Sequence, residues 1–280
     1  MARSWNWLFF KEDVLPLILT LLPVIFVGSF VWSEFTIKVG SVDKLEDHQM
    51  PKEALRGKLI LEDTYRQVPE FVGAKLNCTN CHMNGGTTLN AGPWLGIVHR
   101  FPQYRDRSGK EDTLVDRIND CFERSLNGKR VPEDSETMRN ILAYMEYLSR
   151  DVKKGQKIEG IGMPKLVLKR EPDMKNGERV YLAKCASCHQ NDGQGLYQAD
   201  GKVVFPALWG AKSFNIGAGM ARHHTAAGFV KANMPLGQPN SLTDDEAWDV
   251  AWYFTRKERP DFARKHLDWP KGNKPADARY

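Results

Sequence analysis

Two five-residue stretches carry redox chemistry in this chain: Cys78-Thr79-Asn80-Cys81-His82 and Cys185-Ala186-Ser187-Cys188-His189. C-x-x-C-H is the attachment signature of a c-type haem. Two thiols one helical turn apart add to the porphyrin, and the adjacent His ligates the iron. A redox C-x-x-C has no need of the trailing His, and no further Cys pair follows to complete a zinc site. The repeat therefore predicts two covalently bound haem c groups, held by Cys78, Cys81 and His82 and by Cys185, Cys188 and His189. Of the five cysteines, these motifs leave one over, Cys121.

The sixth iron ligands follow from spacing. Met234-Pro235 lies 45 residues after His189, and a thioether opposite a haem His raises the potential. Met234 is the expected ligand, with His223 and His224 as rivals that read more simply as a solvated pair. The first half has no Met-Pro at the matching place. Met234 lies 25 residues beyond Trp209, and Cys121 lies 27 beyond Trp94. The odd cysteine thus falls where the first haem's distal ligand belongs. His99 competes for that role, and a small buried thiol is the plain alternative. Met138 and Met145 have core-packing spacing, and Met163-Pro164 falls after the module has closed. A Cys121 thiolate would lower the iron potential and suggests chemistry at sulfur.

Basic residues surround Cys121. Tyr104-Arg105-Asp106-Arg107-Ser108-Gly109-Lys110 precedes it, Arg117 lies one helical turn before, and Arg124-Ser125 follow. Guanidinium forks match sulfonate oxygens and favour a thiolate. The interleaved Glu111, Asp112, Asp116, Asp120 and Glu123 equally allow a set of solvated helix charges. The formal net charge of +5 is modest. It favours anionic small molecules or acidic partners slightly, and no basic run argues for nucleic acid.

These residues need positioning, and the chain reads as mainly α: two cytochrome-c-like haem domains in tandem behind an N-terminal transmembrane helix. Residues 1–13 would lie in the cytoplasm. Residues 14–32 carry no charge, and as helix the run spans roughly 28 Å, enough for a bilayer core of about 30 Å. No small-x-small cleavage site ends it, so an uncleaved anchor is expected. A polar tether follows at 33–56. The first domain covers 57–150, a linker 151–173, the second domain 174–257, and a polar tail 258–280. In the first domain, 113–126 has the apolar spacing of a helix. In the last helix Thr243 and Glu246 form a capping-box pattern. Haem is attached to this motif outside the cytoplasm, which places both domains in the periplasm, anchored to a bacterial inner membrane.

The segment Arg117-Ile118-Asn119-Asp120-Cys121-Phe122-Glu123-Arg124-Ser125-Leu126-Asn127-Gly128, between two haem motifs, resembles the dihaem thiosulfate dehydrogenases. Their first domain is similar to sulfur-oxidising cytochromes of the SoxA type. The resemblance spans roughly residues 57–257. It implies a catalytic His82/Cys121 haem, with Arg107, Arg117 and Ser125 on substrate-contacting positions. It implies that two thiosulfates are joined into tetrathionate, or the reverse. The Cys121 sulfur would leave the iron and carry a thiosulfate-derived adduct, which the second thiosulfate attacks. A His189/Met234 haem would pass the electrons to a periplasmic cytochrome or a membrane redox protein. Some members place a lysine before the distal methionine and switch ligands on reduction. Asn233 stands there here, which implies a constant His/Met pair. Two other readings compete: a membrane-tethered dihaem electron carrier with no sulfur chemistry, and a carrier-loading subunit as in SoxA-type complexes.

The haem count is directly testable. Purified holoprotein is expected to hold two haem c per chain by alkaline pyridine spectroscopy. Replacing both cysteines of either motif by serine should leave one.

Overall fold

Each haem module is built on two helices that cross through a glycine. In the computed structural model, residues 49–280 are described. The apolar run at 14–32 and most of the expected tether lie outside the described residues. Among the described residues no helix is long and apolar enough to cross a membrane.

In chain order the first module contains α1 (Lys52–Glu62), the short turns α2 (Thr64–Gln67) and α3 (Met83–Gly86), a hairpin of β1 (Gln103–Arg105) and β2 (Lys110–Asp112), then α4 (Leu114–Asp120) and α5 (Glu136–Tyr147). The second contains α6 (Met174–Lys184), the turn α7 (Ala186–His189), strands β3 (Leu196–Tyr197) and β4 (Val203–Phe205), then α8 (His223–Asn233) and α9 (Asp244–Thr255). The mainly helical class is as expected. Both strand pairs are short antiparallel hairpins.

The two modules repeat one packing scheme. A Cβ on Gly57 of α1 would stand 1.9 Å from the Asn140 carbonyl oxygen of α5, and one on Gly177 of α6 would stand 2.2 Å from that of Asp249 in α9. Only glycine permits so close a crossing. Tryptophan fills the matching place in each: Trp94 packs over Gly86 and edge-on to Tyr144, and Trp209 packs over Gly193 and edge-on to Tyr253. The helix starts obey local chemistry. Thr113 and Thr243 each form a capping box, with Asp116 and Glu246, and Ser135 Oγ accepts from the Met138 N–H. Met138 and Met145 are buried core residues.

Three expected connecting segments are more structured than their composition suggests. Helix α1 begins at Lys52, inside the stretch read as tether, because Met50 and Ala54 have apolar places in the first core. The linker is tied at both ends. Asn90 and Gly92 N–H groups donate to the Gly160 and Gly162 carbonyls, and Arg170 forks onto Asp249. The tail at 258–280 is not merely polar: Phe262 and Trp269 are buried, and Arg259 donates to the Leu208 and Phe254 carbonyls.

His223 lies buried on Trp248, with ring centroids 3.8 Å apart and Nε2 donating to the Trp248 carbonyl at 2.7 Å. Burial pushes its pKa down to about 4, although the carbonyl partner works the other way. An unfolded histidine titrates near 6.5. As pH falls from about 6.5 to about 4 the unfolded chain gains a proton that the folded chain refuses, so stability is lost across that window. The loss attributable to His223 should approach ~3 kcal/mol. Denaturant titrations at stepped pH should show the wild type declining more steeply than His223→Gln over this range.

Candidate active site

Cys121 stands at the point where α4 gives way to a wider turn. Thr113 starts the helix, and Asn119, fully buried, clamps it by bonding both the N–H and the carbonyl of Val131, at 2.8 and 3.1 Å. After Asp120 the backbone widens into a π turn over Cys121–Ser125, closed by the Leu126 N–H on the Cys121 carbonyl at 2.9 Å. Such insertions recur at functional sites. This one sets Cys121, Arg124 and Ser125 on the wall of one cavity.

That cavity, of about 970 Å³, runs between the modules. It brings together Cys78, Cys81, His82, Arg107, Arg117, Cys121 and Ser125 from the first, and Cys185, Cys188, His189 and Met234 from the second. His99 is exposed and does not line it. His223 and His224 are likewise outside the wall, held against Trp248. Met163 lies beside Gly92, where an added Cβ would meet both Met163 and the His82 ring.

The electrostatics single out one thiol. Burial pushes the Cys78 and Cys81 thiols up to about 12 and Cys185 up to about 11. Burial acts upward on Cys121 as well, but the Arg117 charge and the neighbouring His82 ring outweigh it and bring Cys121 down to about 7. Arg117 Nη1 donates to Cys121 Sγ at 2.9 Å. The attraction is mutual: the sulfur, ahead of every other influence, raises the Arg117 pKa. The arrangement can hold a thiolate at neutral pH, which is the nucleophilic and metal-binding form of cysteine.

Arg107 reaches the cavity from the β1–β2 turn. Its Nη1 donates to the Gly217 carbonyl at 2.5 Å, and its guanidinium lies over Trp269. Burial, then the nearby Arg124 charge, lowers its pKa to about 10. Asp268 in the tail receives both Arg124 fork nitrogens at 2.8 Å, lies 3.7 Å from Arg107 Nε and also accepts the Tyr280 hydroxyl. Sequence reasoning missed Asp268, Trp269 and the cavity-lining Arg222. No local pattern marks them, because separate segments deliver them to the wall.

Two domain families match the chain. Residues 67–153 match the SoxA/TsdA cytochrome c domain, and residues 172–254 match the cytochrome C oxidase, cbb3-type, subunit III family. A thiosulfate dehydrogenase of Psychrobacter arcticus is 44% identical over 244 residues, 87% of this chain and 75% of the relative. One from Allochromatium vinosum is 49% identical over 222 residues, 78% of this chain and 82% of the relative. The chain belongs to the thiosulfate dehydrogenase family.

A solved thiosulfate dehydrogenase (TsdBA) from Marichromatium purpuratum superposes with a TM-score of 0.75 at 33% identity, over 78% of this chain. This chain spans half the length of that longer protein. Cytochrome c domains carry covalently bound haem c, and the residues here fit it. In each motif the His Nδ1 is taken by a backbone carbonyl, Gly92 for His82 at 2.6 Å and Pro206 for His189 at 2.9 Å. That contact fixes the ring and leaves Nε2 for iron. The four motif cysteines are unpaired, beside an open cavity. Among the described residues no His, Cys, Asp and Glu cluster offers a separate metal site.

Asp268 is expected to matter to stability within this thiosulfate dehydrogenase fold. Asp268→Ala leaves Arg124 buried without its fork partner and should cost ~3–5 kcal/mol. Urea unfolding of the holoprotein measures it.

Proposed function

We propose that this chain oxidises two thiosulfates to tetrathionate at Cys121, and that the same site can run in reverse. One contact supports the reading above all others: Arg117 Nη1 on Cys121 Sγ at 2.9 Å, beside the haem-motif His82. Its place in a cavity that Arg107 and Ser125 also reach gives a thiolate with anion-binding groups around it.

His82 and Cys121 would hold the iron of the first haem, and His189 and Met234 that of the second. The bound haems supply the electron acceptor for sulfur–sulfur bond formation and the route to a periplasmic cytochrome or membrane redox protein. The Cys121 thiolate forms a bond to the sulfane sulfur of the first thiosulfate, giving Cys–S–S–SO₃⁻ and releasing two electrons. Arg117 and Arg107 stabilise the incoming sulfonate as charged donors, and Ser125 supplies a neutral one. The second thiosulfate then attacks that outer sulfur with its own sulfane sulfur. Tetrathionate leaves, and Cys121 departs as thiolate. Charge balances at each step, and Arg117 is placed to receive the negative sulfur both times. The thiolate form persists because Arg117 is a permanent cation.

The Met234 peptide N–H is bonded to the Val230 carbonyl at the end of α8, and the neighbouring Asn233 amide donates to the Asn90 and Phe229 carbonyls. This anchoring supports a constant methionine ligand. The uncharged run at 14–32 supports an anchor in a bacterial inner membrane, with the haem modules on the periplasmic side.

Anaerobic thiosulfate added to the oxidised holoprotein should reduce haem and form tetrathionate, and Cys121→Ala should do neither. Retained turnover in Cys121→Ala would leave the chain as an electron carrier whose cysteine is inert.

A further inference from the structure

Arg222, on the cavity wall, has no task in this scheme. Arg222, from the second module, stands at the start of α8 and lines the same cavity as Cys121, Arg107 and Arg117. Its neighbours are neutralised: Arg107 and Arg124 face Asp268, Arg105 lies near Asp112, and Arg117 is bonded to the Cys121 sulfur. Arg100 and Arg222 each bury an Nε without an acceptor, but Arg100 is tied to the Pro93 carbonyl of its own module at 3.1 Å, whereas the Arg222 side chain makes only a long bond from Nη2 to Thr225 Oγ1, at 3.4 Å. Among the described residues no carboxylate stands within ion-pair reach of it. Its charge is also felt at Arg107, whose pKa it pushes further down. A buried donor left in this state is costly, and an anion entering the cavity would relieve the cost.

Two thiosulfates bring two sulfonates into one cavity. Arg117 and Ser125 flank Cys121 on its own segment, so they serve the sulfonate of the adduct. The attacking thiosulfate must direct its sulfane sulfur at that adduct, which turns its sulfonate away from Cys121 and towards another wall. We propose that Arg222 binds the sulfonate of this second thiosulfate, so that the second module completes the substrate site of the first. Tetrathionate is then held at both ends, with Arg117 and Ser125 at one sulfonate and Arg222 at the other. Arg107, within electrostatic reach of Arg222, adds positive charge between them. The assignment rests on the thiosulfate reading above.

Ethane-1,2-disulfonate, which joins two sulfonates through a two-atom bridge as tetrathionate does, has no sulfur–sulfur bond to cleave. Titrated calorimetrically into oxidised full-length holoprotein, it should bind more tightly than methanesulfonate. Arg222→Gln should weaken the disulfonate about 10- to 100-fold, the range for a lost charge-assisted hydrogen bond. It should leave methanesulfonate binding and the haem midpoint potentials in place. Arg222→Lys keeps the charge without the fork and should bind the disulfonate with intermediate affinity. That variant carries the test if the glutamine variant does not accumulate as holoprotein. Equal wild-type affinities for the two sulfonates, or undiminished disulfonate binding in the variants, would overturn the proposal. A shifted haem potential with unchanged sulfonate binding would overturn it too, by assigning Arg222 to a haem propionate. Disulfonate binding that depends on Arg222 in a protein inert towards thiosulfate would uphold the site and sink the activity reading instead.

Discussion

A sulfur that carries negative charge inside a protein must be compensated where it sits, and the site is built around that constraint. Burial alone would protonate Cys121, as it does Cys78 and Cys81 in the same cavity. Arg117 reverses the outcome because it is one helical turn away on α4, the spacing that brings side chains together on one face. The clamp of Asn119 on Val131 and the wide turn after Asp120 keep that geometry from depending on the side chains alone. The thiolate and its counter-charge thus belong to one short segment. Arg105, Arg107 and Arg222 come from other segments.

Bringing those arginines in requires that the modules act as one body. Domains joined by a linker ordinarily move relative to each other unless their interface is substantial. Here Asn215 of the second module donates to the Glu123 carbonyl and to Asn127, and the Asn215 N–H donates to the Arg124 carbonyl. Gly217 accepts from Arg107, and Asn233 donates to Asn90. The tail then crosses back, placing Asp268 between Arg107 and Arg124 and Trp269 beneath Arg107. Buried arginines close to one another would repel, and Asp268 offsets that repulsion. The tail is therefore part of the cavity wall.

The two modules share a scaffold and differ in the sulfur residue each brings to the cavity, Cys121 in one and Met234 in the other. Gly57 and Gly177 set the helix crossings, Trp94 and Trp209 close on glycines, and carbonyls from Gly92 and Pro206 orient the histidines. On that common frame one module presents a charged sulfur and the other a neutral thioether. A thiolate pushes electron density onto iron, and a thioether favours the reduced metal. In the proposed function, the same architecture is divided between chemistry and electron transfer.

Much of this was legible in the residues alone. The two C-x-x-C-H motifs, the odd Cys121 at the matching place after Trp94, the helix starts at Thr113 and Thr243, and the Arg117–Cys121 spacing are local features. Short-range backbone geometry determines them, so a linear pattern carries them. The β1–β2 hairpin that presents Arg105 and Arg107, the early start of α1, the docking of the tail through Asp268 and Trp269, and Arg222 on the shared wall have no such pattern. Each depends on which distant surfaces bury one another, and that is settled by the packing of the two modules. Local residue patterns carry the sulfur and haem chemistry. Which arginines surround that sulfur depends on long-range packing, because segments more than 100 residues apart meet there.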